Sequence, residues 1–95
     1  MQEVLYQNQH GMLRAEYHGD KIFLHIDITK WSLSIFRDCL KIWEEFVIPD
    51  LKAKGYEEVY SIVPKDNDKA QKLTYLFGLH CYEECDKLFH NKRTL

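Results

Sequence analysis

The chain has 95 residues, 45% of them hydrophobic and 14% aromatic, with 13 Lys and Arg set against 15 Asp and Glu. A chain of this length buries about two-thirds of its unfolded surface, so residues 1–95 read as one domain with a single core rich in aromatic rings. A net charge of −2 excludes the basic footprint of a nucleic-acid binder, and no apolar run reaches the ~20 residues that span a bilayer.

Cysteine usage and the first residues place the chain. Cys39, Cys81 and Cys85 are an odd number without the spacing of a disulfide framework, which points to a reducing compartment. The opening MQEVLYQNQHG has neither the basic nor the apolar region of a secretory signal. The expected location is cytoplasmic. The one basic cluster, Lys92 with Arg93, reads as a solvated tail.

In chain order, residues 3–6 form a candidate first strand. MLRAEYH and KIFLHIDI follow, separated by His18-Gly19-Asp20. Gly-Asp as a two-residue loop favours a tight II′ hairpin. In the second run Ile22, Leu24, Ile26 and Ile28 share one face and Phe23, His25 and Asp27 the other.

From residue 31 the period lengthens. Leu33, Phe36, Leu40, Trp43, Val47 and Leu51 recur every three or four residues and mark one face of a long helix. Ser32 or Ser34 caps its start, Gly55 sits at its left-handed end, and Pro49 predicts a kink. EEVYSIVP is a strand with Val59, Ser61 and Val63 on one face, closed by Pro64. KDNDKAQKLTYLFG is a shorter helix, capped by Asp66 or Asn67, buried along Ala70, Leu73 and Phe77, and ended by Gly78. LHCYEECDKLFH reads as one last strand. The order β-β-α-β-α-β describes an α/β layer with right-handed crossovers.

Asn67, Ala70, Leu73, Gly78 and Leu79 stand at the spacing Asn-x-x-Ala-x-x-(Leu/Phe)-Tyr-x-x-x-Gly-Phe. This signature and the element order from residue 21 to 82 resemble the GNAT-type N-acetyltransferases, and in particular the short GNAT-like proteins of tailed bacteriophages. The resemblance implies a minimal GNAT-like mixed sheet, with residues 1–20 a reduced N-terminal part and 21–82 the recognisable core. It departs from the family in three places. The loop that holds the acetyl-CoA diphosphate there is glycine-rich, because bare backbone amides and a helix start cradle the anion. Here Thr29, Lys30, Trp31, Ser32, Leu33, Ser34, Ile35 and Phe36 contain no glycine, so the acetyl-CoA loop is degenerate. The general-acid tyrosine aligns with Thr74, and a hydroxyl of that kind titrates far above a phenol. The elements that wall the acceptor site are reduced to about twenty residues.

The departures lead to a non-enzymatic GNAT-like interaction protein, expected to be phage-encoded, to bind a host or viral protein and to form a homodimer through a sheet edge. It would act in the host cytoplasm or virion, with no cofactor, no nucleic acid and no membrane. The alternative is a divergent acetyl-CoA-dependent N-acetyltransferase. In that case His25, Asp27 and Tyr75 are the catalytic candidates, with Glu16 beside them, and Lys30, Trp31, Ser32, Ser34 and Asn67 hold the cofactor. His80, Cys81, Cys85 and His90 invite a zinc reading, yet on one strand the two cysteines lie about 13 Å apart, too far to share an ion. No metal is expected.

Overall fold

The computed structural model describes residues 2–29 and 32–95, so the candidates Lys30 and Trp31 lie outside the described residues. Six strands form one sheet: β1 (Gln2–Asn8), β2 (Gly11–His18), β3 (Lys21–Ile28), β4 (Glu58–Pro64), β5 (His80–Glu84) and β6 (Leu88–Thr94). Their spatial order is β1-β2-β3-β4-β6-β5. Every neighbouring pair is antiparallel except β3 with β4. That parallel pair needs a long crossover, and the long helix supplies it. The mixed α/β architecture is the one the residue pattern describes, with the candidate first strand present.

The β2–β3 turn follows from one glycine. Gly19 takes φ 62°, while no other described residue but Gly55 and Gly78 has positive φ; a positive first and negative second φ is what a II′ turn requires. His18 then pairs with Lys21 across it.

The long helix runs as α1 (Leu33–Ile42), a π turn (Trp43–Val47) and α2 (Ile48–Ala53). The Ile48 amide bonds the Trp43 carbonyl, five residues back. A proline at position 49 has no amide to give and its ring crowds the carbonyl four residues earlier, so a widened turn before it keeps the helix continuous. The buried stripe is Ile35, Cys39, Trp43, Val47, Ile48 and Leu51. Leu33, read as the first core position, is 64% exposed; it starts the helix, ahead of the turn that meets the sheet.

α3 (Asp68–Leu76) packs on the same side of the sheet, burying Leu73 and, just beyond its end, Phe77. Trp43 stacks on Phe77 with centroids 5.5 Å apart, and its indole N–H donates to the Phe77 carbonyl at 2.9 Å. Leu13, Ala15, Ile22, Leu24 and Val59 complete this core from the sheet.

Two expectations are corrected at the C-terminus. LHCYEECDKLFH is not one strand but a hairpin, turned where the Cys85 amide bonds the Leu88 carbonyl at 2.9 Å. Lys92 and Arg93 are no tail. They lie in β6, paired with β4, and Arg93 forks onto Glu44 at 2.6 and 3.0 Å while donating to the Phe77 carbonyl at 3.0 Å. Among the described residues no helix is long and apolar enough to cross a membrane.

Candidate functional site: a cleft where two strands part

Parallel β3 and β4 pair at one register position, Phe23 opposite Tyr60. Beyond it they part. Residues 24–27 then face residues 61–64 across a cavity of about 170 Å³ closed below by α3 through Asn67, Ala70, Leu73 and Thr74. Parted strands leave main-chain donors and acceptors unpaired along both inner edges, a demand that an extended ligand with amide groups meets. The side chains add to it. Ser61 is 4% exposed, and its Oγ has no hydrogen-bond partner among the described residues. An orphaned buried hydroxyl is costly, and this one lines the cleft.

On the opposite, helix-free face of the sheet lies a wider depression of about 490 Å³ lined by Glu16, His18, Lys21, Phe23, Leu24, His25 and Ile62. His25 borders both cavities, as do Leu24 and Ile62. Strand alternation explains the grouping: Glu16 and His18 on β2 and Phe23 and His25 on β3 all point away from the helices. Glu16 joins the cluster. Its Oε1 meets His25 Nε2 at 3.0 Å and its Oε2 bonds His18 Nε2. His18 first and His25 second hold the Glu16 carboxyl below its ordinary range.

Asp27 also borders the cleft and is tied to Arg14 at 2.9 Å. Asn67 borders it too, although its Oδ1 is engaged as the α3 cap, accepting from Ala70 N at 3.1 Å. Ser32 caps α1, its Oγ accepting from Ile35 N at 3.1 Å, and Ser34 is exposed in the first turn. Tyr75 is not brought to the cleft. It is 64% exposed and stacks on His80 at 4.7 Å, while its neighbour Thr74 is the residue that lines the cavity; one step along a helix turns a side chain by about 100°.

The C-terminal hairpin sets Cys85 Sγ 3.3 Å from His90 Nε2. Among the described residues no group of three His, Cys, Asp or Glu is arranged to hold a metal ion. Sequence reasoning missed Ser61 as a site residue, because alternation marks it as inward and says nothing of whether its hydroxyl finds a partner.

No protein-family model matches the sequence, and no curated protein sequence matches it. Solved structures do resemble it. A domain from Methanocaldococcus jannaschii superposes with a TM-score of 0.73 at 19% identity, covering 97% of this chain and 63% of that one. The PaiA N-acetyltransferase of Thermoplasma acidophilum, solved with coenzyme A, gives 0.71 at 16% identity over 90% of this chain and 54% of its own. The Campylobacter jejuni N-acetyltransferase PseH with acetyl coenzyme A gives 0.64 at 14% identity, over 94% and 63%. The chain thus spans between half and two-thirds of the length of these neighbours. It has the minimal fold of the GNAT N-acetyltransferases.

Proposed function

We propose that the chain binds an acyl-coenzyme A in the cleft between β3 and β4 and transfers the acyl group to an amine presented on the open face of the sheet. The observation that carries this reading is the position of His25, which borders both cavities while its Nε2 is engaged by Glu16. The neighbours solved with coenzyme A and acetyl coenzyme A support the choice of cofactor. The cleft suits its pantetheine arm: β3 and β4 pair at a single register position, and Ser61 lines the gap with a hydroxyl that has no partner among the described residues.

When bound, the cofactor supplies an activated acyl carbon and a thiol leaving group. His25 does the rest of the proton work. With its Nε2–H donated to Glu16, Nδ1 keeps the lone pair that takes the amine's proton. The ionised Glu16 fixes that tautomer and the orientation of the ring. Asp27, paired with Arg14 at 2.9 Å, borders the cleft. Thr74, at the cleft, offers no phenol, and a thiol leaving group with a pKa near 8.5 would not require one.

Titration with acetyl-CoA, followed by acetyl transfer to a panel of amines, tests the reading. His25→Ala should lower turnover on the order of 100-fold or more and leave the melting temperature in place. An unbound acetyl-CoA at millimolar concentration would falsify the proposal.

A second reading keeps the scaffold and drops the chemistry. Thr74 at the cleft and Tyr75 turned away favour it, as does the uncovered row of rings from His18 through Phe23, Tyr60 and Tyr82 to His90. The protein would then be a non-enzymatic partner of a host or viral protein, in keeping with a phage origin. Acetyl-CoA binding without turnover on any amine supports this reading over the first.

A further inference from the structure

If the cleft holds a coenzyme A thioester, the phosphates of that cofactor need a seat that no glycine loop provides. Residues 29–37 contain no glycine. The first-turn amides of α1 are partly spent: Ile35 N goes to Ser32 Oγ and Phe36 N to the Ser32 carbonyl, each at 3.1 Å.

We propose that Lys69 and Lys72 on α3 bind the phosphates of the cofactor's nucleotide end, beside an apolar seat made by Phe36 and Leu76. The inference rests on the cofactor reading above and goes beyond it in naming where the nucleotide lies and what holds it.

A depression of about 250 Å³ is lined by Phe36 from α1 and by Lys69, Lys72, Leu73 and Leu76 from α3. Leu73 also lines the β3–β4 cleft, so the depression and the cleft adjoin at this residue. A ligand whose thiol end reaches His25 would pass over Leu73 to reach the depression.

The two lysines are three residues apart and therefore neighbours on one helix face, where like charges repel. Neither makes a hydrogen bond or an ion pair with any described residue. Asp68, four positions before Lys72, is not bonded to it. Two uncompensated ammonium groups over one depression are stabilised by a polyanion, and lysine binds phosphate as a point charge. In the same depression Leu76, 54% exposed, and the half-buried Phe36 present apolar surface on which the face of a purine can pack. Phosphates and a flat heteroaromatic ring are the two parts of a nucleotide.

The test compares acetyl-CoA with S-acetylpantetheine, which keeps the thioester arm and lacks nucleotide and phosphates. Isothermal titration of the wild type, of Lys69→Gln/Lys72→Gln and of Lys69→Arg/Lys72→Arg measures both probes. The Gln pair should weaken acetyl-CoA binding on the order of tenfold per lysine and leave S-acetylpantetheine unchanged. The Arg pair should restore most of the loss. The fall in acetyl-CoA affinity between about 50 and 200 mM salt should flatten in the Gln pair, by analogy with phosphate contacts elsewhere. An unchanged acetyl-CoA affinity in the Gln pair, or a parallel loss for S-acetylpantetheine, overturns the assignment of the lysines while the cofactor reading stands. A wild type that binds neither probe removes the cofactor reading itself.

Discussion

The helical side of the sheet and its open side are both rich in rings, and they use them differently. On the helical side Trp43 and Phe77 are fully buried and stacked, and the Phe77 carbonyl receives both the Trp43 indole and the Arg93 guanidinium. Arg93 is in turn fixed by Glu44. On the open side His18, Phe23, Tyr60, Tyr82 and His90 run in a row across the strands, with successive centroids 5.6 to 6.4 Å apart. Lys21 and Lys92 lie over Tyr60 and Tyr82 at 5.2 and 5.1 Å. The first arrangement is closed and satisfied; the second keeps its edges available. Stability comes from the packed Trp43–Phe77–Arg93 arrangement, and the cleft opens beside it, where β3 and β4 part.

Substitution of one ring from each side puts that contrast at risk. Trp43→Ala removes the largest fully buried side chain among the described residues and takes its indole partner from the Phe77 carbonyl, so it should cost about 3–5 kcal/mol. Tyr82→Ala, on a ring that is 46% exposed, should cost about 1 kcal/mol or less. Urea denaturation of the two variants measures both. Comparable losses would mean that the open row is a second core and no binding face.

Two glycines sharpen the comparison at smaller scale. Gly78 and Gly19 both have positive φ, 86° and 62°, so alanine at either carries the left-handed penalty of about 1–2 kcal/mol. They differ in surroundings. A methyl group at position 78 would lie 3.0 Å from Arg93 Cδ, whereas at position 19 it would meet nothing within 4 Å. Gly78→Ala should therefore be the more destabilising by a further ~1 kcal/mol, the cost of moving a packed guanidinium stem. Equal effects would show that Arg93 yields freely and that the helical side is less rigid than its bonds imply.

Much of this was legible where one period or one residue decides the outcome. Val59, Ser61 and Val63 are buried as their alternation predicts, Gly19 turns the hairpin, and Asn67 and Gly78 bracket α3. The C-terminal hairpin was not, because its turn at Cys85-Asp86-Lys87-Leu88 contains no glycine, proline or asparagine to interrupt the strand pattern. Arg93 looked like tail because charge in a short C-terminal run usually means solvent, and only a partner 49 residues away, Glu44, makes it structural. In the site, His25, Asp27 and Glu16 could be grouped by strand parity. The orphaned Ser61 hydroxyl and the cavity that joins Leu73 to Lys69 and Lys72 depend on how far β3 and β4 part, and a sequence does not carry that distance.

The smallest effect is expected at the boundary itself, in Glu16. Its carboxyl accepts from His18 and His25, and its pKa lies below the model-peptide value of 4.5. A carboxyl with a depressed folded pKa contributes stability above its unfolded pKa and loses it as pH falls through the folded value. The wild type should therefore lose melting temperature between about pH 5 and pH 3 that Glu16→Gln does not lose. Because the Glu16 side chain is partly exposed and screened by solvent, the difference should be only about a degree or two. A larger shift would mean that the His18–Glu16–His25 cluster is more enclosed than its exposure implies. A loss that Glu16→Gln shares in full would mean that the cluster contributes nothing to the fold, leaving Glu16 with the positioning of His25 alone.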